Sequence, residues 1–131
     1  MAKYVIGPDV AISLAAGEAV IQSEHQLLAP TLLRSQMLAR LFRAVAAGEM
    51  SKGEATRMLD YVRGLRIRLL GDRVLQNVAW KLAEQLGWPD TFDAEYLALT
   101  RLQADAFITV DRALAAAVKD VVPVAPIDAL F

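Results

Sequence analysis

The chain has 131 residues, a hydrophobic fraction of 56%, a charged fraction of 22% and a formal net charge of -1. This is the composition of one packed domain over residues 1–131; it argues against a disordered chain and offers no global attraction to nucleic acid or acidic membranes. With no cysteine there is no disulfide framework or thiolate metal site, and charges interrupt every apolar run well short of the roughly 20 residues of a membrane helix.

The N-terminus lacks a basic stretch followed by a long apolar core, so the expectation is a soluble cytoplasmic protein without a secretory signal. The first strand is expected at Lys3–Ile6. Gly7-Pro8 breaks it, and a helical pattern begins near Val10, just past Asp9. A second strand is expected at Leu27–Ala29. From Thr31 to Ala47, Leu33, Met37, Leu41 and Val45 recur every four residues and Gly48 closes the helix. Ser51 and Glu54 have capping-box spacing for a helix through about Val62. A weak strand at Arg66–Leu70 precedes a helix capped by Asp72, with Val74, Val78, Leu82 and Leu86 on its apolar side and Gly87 at its end. The helix after Pro89-Asp90 carries Tyr96, Leu97, Leu99 and Leu102 inward. A strand at Ala106–Val110, a short helix holding Leu114 and Val118, and a strand at Val121–Val124 complete the chain.

Strands alternating with helices of ten or more residues predict an α/β fold: a mostly parallel central sheet with helices on both faces, three layers in all. Ligands of such sheets bind beyond the carboxyl ends of the strands. The informative segments are therefore Ile6–Asp9, Pro30 onward and Thr109–Arg112.

Several chemistries are absent from the sequence. The single histidine, His25, has no second soft ligand to complete a metal site and reads as a solvated loop residue. There is no phosphate-binding glycine signature and no G-x-S-x-G elbow. Asp93, in the first turn of a helix, and Asp111, directly after the strand "FITV", both fall at the same edge of a parallel sheet. Carboxylates gathered there suit a hard cation such as Mg²⁺, which takes one or two carboxylates plus water and can orient water for phosphodiester cleavage. Each is also an ordinary helix cap, the competing and preferred reading from spacing alone.

The segment "DAEYLAL" (Asp93–Leu99), followed by "ADAFITVDRAL" (Ala104–Leu114), resembles the paired C-terminal signature of PIN domains, and is most similar to the small VapC-type toxins of bacterial toxin–antitoxin pairs. The opening strand and "LLAPTLLRSQMLARLFRAV" (Leu27–Val45) fit the same family's first strand, second strand and following helix. The resemblance spans essentially the whole chain. It implies a PIN-like three-layer fold, a Mg²⁺- or Mn²⁺-dependent endoribonuclease, a homodimer and inhibition by a small antitoxin.

This chain departs from the family at two of four acidic positions. The aspartate usual at the end of the first strand is Gly7, and the glutamate usual in the helix after the second strand is Gln36; Asp93 and Asp111 keep the other two. Glycine offers no ligand, and Gln36 keeps a carbonyl oxygen without the charge. Asp9, two residues past Gly7, is the candidate replacement; its competing and preferred role is N-cap of the helix beginning near Val10. Asp90 and Glu95 are weaker substitutes, read as a cap and a solvent-facing acid. Thr109 matches a hydroxyl position that lies beside the metal in the family, and is equally an ordinary strand residue. Arg112 fits either a phosphate or an acidic neighbour. Lys52, Arg57, Arg63, Arg66, Arg68 and Arg73 outnumber Glu54, Asp60 and Asp72 in their segment, which suits an RNA path or, preferably, a solvated face.

Two functional expectations follow from the resemblance. One is a toxin-like endoribonuclease in which Asp93, Asp111 and Asp9 hold the metal, with Thr109 and Gln36 supporting. The other is a PIN scaffold without catalysis that binds an antitoxin, a second copy or RNA. The apolar positions of the helices Thr31–Ala47 and Ser51–Val62 offer a partner surface, although core packing also accounts for most of them.

Overall fold

The computed structural model describes residues 2–131; Met1, the first residue of the expected domain, lies outside them. The chain alternates as expected: β1 (Lys3–Ile6), α1 (Pro8–Ala16), β2 (Gln26–Pro30), α2 (Leu32–Ala46), α3 (Lys52–Gly64), β3 (Arg68–Leu70), α4 (Arg73–Leu86), α5 (Phe92–Gln103), β4 (Ala106–Ile108), α6 (Arg112–Val118), β5 (Val124–Ala125) and a terminal 3₁₀ turn at Ile127–Leu130. The sheet order is β3-β2-β1-β4-β5, and every adjacent pair is parallel. The steps from β1 to β3 run one way along the sheet and those from β3 to β5 run back. Right-handed crossovers then put α1–α3 on one face and α4–α6 on the other, giving three layers. Contacts agree: α1, α2 and α3 pack together, while α5 packs on α4 and on β1, β2 and β4.

Three helix starts follow the local chemistry of the sequence. Ser51 Oγ accepts from Glu54 N–H, and Asp72 and Asp111 accept in the same way from Leu75 and Leu114. Half of the expected capping box forms, because the Glu54 carboxylate turns to Arg57. Gly87 ends α4 with φ +67°, a left-handed conformation that glycine adopts without penalty.

Some boundaries and faces differ from expectation. Val121 and Val122 donate to the Val118 carbonyl as a continuation of α6, so β5 starts only after Pro123. The buried side of α4 is Leu75, Ala79, Leu82 and Ala83, one residue round from the expected stripe, and Val74 is exposed. Leu102 is also exposed, near the end of α5. His25 lies in the loop before β2 as expected but is only half-exposed: its ring packs edge-on against Tyr4, 5.3 Å between centroids, and its Nδ1 is buried without a partner. Among the described residues, no helix is long and apolar enough to cross a membrane.

The sheet places the site. Ile6 and Ile108 are register partners at the carboxyl ends of β1 and β4, so the segments Gly7–Asp9 and Thr109–Asp111 leave the sheet side by side. This is where the strand order reverses, the position at which open parallel sheets leave a crevice.

Candidate functional site

The end of β1 is built around a steric relationship. Gly7 is the N-cap of α1 with φ -85° and ψ 173°, an extended conformation open to any residue, so backbone freedom does not explain the glycine. Space does: a Cβ added at Gly7 would fall 2.6 Å from Asp9 Oδ1. The Asp9 carboxylate leans back over the glycine into the volume that a side chain at position 7 would fill.

Asp9 is therefore not the helix cap expected from its spacing. Pro8 opens the helix at N1, where its missing N–H costs nothing, and Asp9 sits inside the first turn. Its carboxylate instead crosses to β4. Thr109 Oγ1 donates to Asp9 Oδ2 at 2.6 Å and the Val110 N–H donates to the same oxygen at 2.9 Å. Thr109 Oγ1 also accepts from the Asp111 N–H at 3.1 Å, and Asp111 Oδ1 accepts from Leu114 N–H at 3.1 Å. One hydroxyl thus fixes the acid from β1 and the loop carrying the acid from β4.

Asp9, Asp93 and Asp111 line one cavity of about 110 Å³, together with Gly7, Arg40 and Tyr96. Asp93 enters from the first turn of α5 and caps nothing: Phe92 N–H is taken by Asp90 Oδ1, and Thr91 is the N-cap residue. Its carboxyl is raised above the ordinary value, first by burial and then by the charge of Asp90, with Asp9 and Asp111 adding to the effect and Arg40 opposing it. Glu95 is half-buried and its carboxyl is raised by that burial, so it is not the solvent-facing acid expected.

Gln36 stands apart from the three acids. Its carbonyl Oε1 accepts from the Tyr96 hydroxyl at 2.5 Å, and its side chain lines a neighbouring cavity between α2 and the start of α5. Tyr96, raised mainly by burial, stays a donor. The residue that joins the two cavities is Arg40, which lines both. Sequence reasoning passed over it, although its position one turn beyond Gln36 on the same stripe was a usable signal.

The basic segment behaves differently from a free RNA path. Arg57 pairs with Glu54 and Glu18, and Arg63 with Asp60. Arg63 and Arg66 border an apolar groove of about 500 Å³ between α2 and α3, walled by Leu33, Met37, Leu38 and Val62. Arg112 is exposed and makes no ion pair among the described residues.

The donor set is oxygen-only, the kind a hard divalent cation takes. Among the described residues no three acidic or histidine side chains gather tightly enough to ligate one ion together. A Mg²⁺ ion that keeps several waters needs only one or two carboxylates, so the residues fit a largely hydrated ion and not a dedicated protein cage.

No protein-family model matches the chain, and no curated protein matches it. Solved structures do. The chain superposes on PAE2754 from Pyrobaculum aerophilum with a TM-score of 0.75 at 20% identity, covering 98% of this chain and 92% of that one. It superposes on a chain of the VapBC-1 structure from nontypeable Haemophilus influenzae with a TM-score of 0.66 at 14% identity, covering 96% of this chain and 98% of that one. The fold is a VapC-like PIN fold. Since these likenesses reach nearly end to end, the PIN-like reading from the sequence holds at the level of architecture.

Proposed function

We propose that this chain is a VapC-like, metal-dependent endoribonuclease in which Asp9 supplies the carboxylate that Gly7 lacks. The observation that carries the reading is the placement of the Asp9 carboxylate over Gly7, held by Thr109 and Val110 in the cavity it shares with Asp93 and Asp111. An acid at the end of β1 is thus provided two residues later in sequence and at nearly the same place in space.

In this reading one or two of Asp9, Asp93 and Asp111 would hold a largely hydrated Mg²⁺ or Mn²⁺ directly and the remainder through its waters, and the ion would supply a Lewis acid and an activated water when bound. Thr109 keeps the Asp9 carboxylate aimed and anchors the loop of Asp111. Gln36 keeps Tyr96 in place and touches no metal. Arg40 offers the cavity a cation for a phosphate.

The partner assigned here is an antitoxin-like protein. The apolar groove between α2 and α3, edged by Arg34, Arg63 and Arg66, suits an amphipathic segment carrying acidic residues. Support also comes from the likeness to a chain of a VapBC structure. A homodimer belongs to the same reading.

A second reading, a PIN scaffold that binds without cleaving, draws on two observations. The Gln36 oxygen is committed to Tyr96, and no three acids converge on one point among the described residues. Cleavage of a mixed single-stranded RNA pool with Mg²⁺ or Mn²⁺ separates the two. The nuclease reading predicts cleavage that Asp93→Asn and Asp111→Asn each reduce by on the order of 10²–10⁴. No cleavage by the unaltered chain, with retained RNA or partner binding, selects the scaffold.

A further inference from the structure

The cavity beside the acids has a composition of its own. It lies between α2 and the first residue of α5, encloses about 340 Å³, and is walled by Ser35, Gln36, Arg40, Arg43 and Phe92 with two aliphatic residues. Two guanidinium groups face it and no acid does. Neither is in an ion pair among the described residues, whereas Arg57 and Arg63 are both paired. Phe92 is 52% exposed at its rim. The Phe92 ring is thus left in water beside Arg43, which has no acid in this cavity, and Arg40, whose nearest acids lie in the adjoining one.

The ligand that fits has a flat π-surface and an anion on each side. Nucleotides in a single strand provide this, because any base can stack on an aromatic ring while arginines track the phosphates. The volume falls in the range of small-ligand cavities, on the order of 300–1,000 Å³. Continuity selects RNA over an acidic peptide. Arg40 belongs to this cavity and to the acid cavity, so a ligand occupying both must carry an anion at Arg40 next to three aspartates. A phosphodiester approaching a hydrated cation meets that demand, whereas clustered peptide carboxylates would meet repulsion.

We propose that this cavity is the subsite for the nucleotide adjoining the scissile phosphate of a single-stranded RNA: Arg40 on the phosphate at the junction, Phe92 against the base, and Arg43 on the next phosphate. The assignment rests on the ribonuclease reading and specifies how its substrate lies. Within the basic segment around α3, Arg57 and Arg63 are paired with acids and Arg66 borders the apolar groove.

The test is fluorescence anisotropy with a labelled mixed-sequence RNA 12-mer and the full chain carrying Asp93→Asn, with and without Mg²⁺ at two salt concentrations. Phe92→Ala should weaken binding about tenfold, within the range measured for lost base stacking, and Phe92→Trp should retain it. Arg40→Gln and Arg43→Gln should each lower the salt slope by about 0.7, one phosphate contact on a single strand. Phe92 and Arg43 are exposed, so a structural role would leave both readouts unmoved. Unchanged affinity and slope in Phe92→Ala and Arg43→Gln overturn the subsite, while cleavage by the unaltered chain in a parallel assay keeps the nuclease reading. Tight binding that depends on these residues with no cleavage by the unaltered chain keeps the RNA site and overturns the nuclease reading, and with it the place beside a scissile phosphate. Absence of RNA binding, or a change in oligomeric mass in place of RNA affinity, also overturns the subsite.

Discussion

The Asp9 carboxylate occupies the volume that a side chain on Gly7 would need, with Oδ1 2.6 Å from the position of a Cβ there. The glycine and the aspartate are therefore one structural unit. Restoring an acid at position 7 alone should fail: Gly7→Asp pushes Asp9 off Thr109, lowers stability by about 1–3 kcal/mol as an overpacked site, and does not raise cleavage. The double change Gly7→Asp/Asp9→Ser makes room and should recover both. Melting temperature and cleavage rate of the two variants check this; a faster single variant would mean the two carboxylates fit together.

Thr109 is the hinge of the acid network, donating to Asp9 and accepting from the Asp111 N–H. Thr109→Val keeps the shape and removes both bonds. We expect a loss of about 1–3 kcal/mol for the groups left unpaired and a fall in cleavage on the order of 10², with Thr109→Ser close to the unaltered chain. Equal rates for the valine and serine variants would show that the hydroxyl does not hold the site.

Asp111 has two duties that substitution can separate. Asparagine caps a helix about as well as aspartate, so Asp111→Asn should melt with the unaltered chain yet lose cleavage. Asp111→Ala should lose cleavage and also about 1 kcal/mol of stability with the cap to Leu114. If the asparagine variant cleaves normally, capping is the whole role of this residue.

Asp93 should cost stability at neutral pH. Its carboxyl is raised above the ordinary 3.8 by burial first and by Asp90 next, so the fold favours the protonated form. The stability of the unaltered chain therefore falls as pH rises from 3.8 through the raised folded value. Asp93→Asn removes that dependence and should melt higher than the unaltered chain at neutral pH, with the gap closing in acid. Thermal melts across this range decide it, and a variant that melts lower at neutral pH would reveal a stabilising partner for the charge.

Gln36→Glu should be tolerated, because a carboxylate oxygen can accept from the Tyr96 hydroxyl as the amide does. Tyr96→Phe loses this bond and should cost about 1 kcal/mol. Activity of Gln36→Glu at or above that of the unaltered chain is expected, and a collapse of folding would show that the neighbourhood rejects a fourth charge.

The architecture was legible because β-type runs and helix-length stripes alternate all along the chain, and local caps at Ser51, Asp72 and Asp111 announce their helices. What misled was local too. Asp9 beside a Gly-Pro break reads as a cap, and only the neighbouring strand β4, a hundred residues away in sequence, turns its carboxylate elsewhere. Arg40 is a similar case: one turn beyond Gln36 on an exposed helix stripe it is a faint signal in the sequence, and its place at the site comes from the two cavities it lines beside α5. Crossings between distant segments decide the site, and periodicity carries no record of them.

The most direct test of the account is the Mg²⁺- or Mn²⁺-dependent RNA cleavage rate of Asp9→Asn against the unaltered chain. Asparagine keeps the size of the side chain and removes the charge, so the account predicts a loss on the order of 10² or more in a folded protein. Equal rates for the two proteins would contradict it.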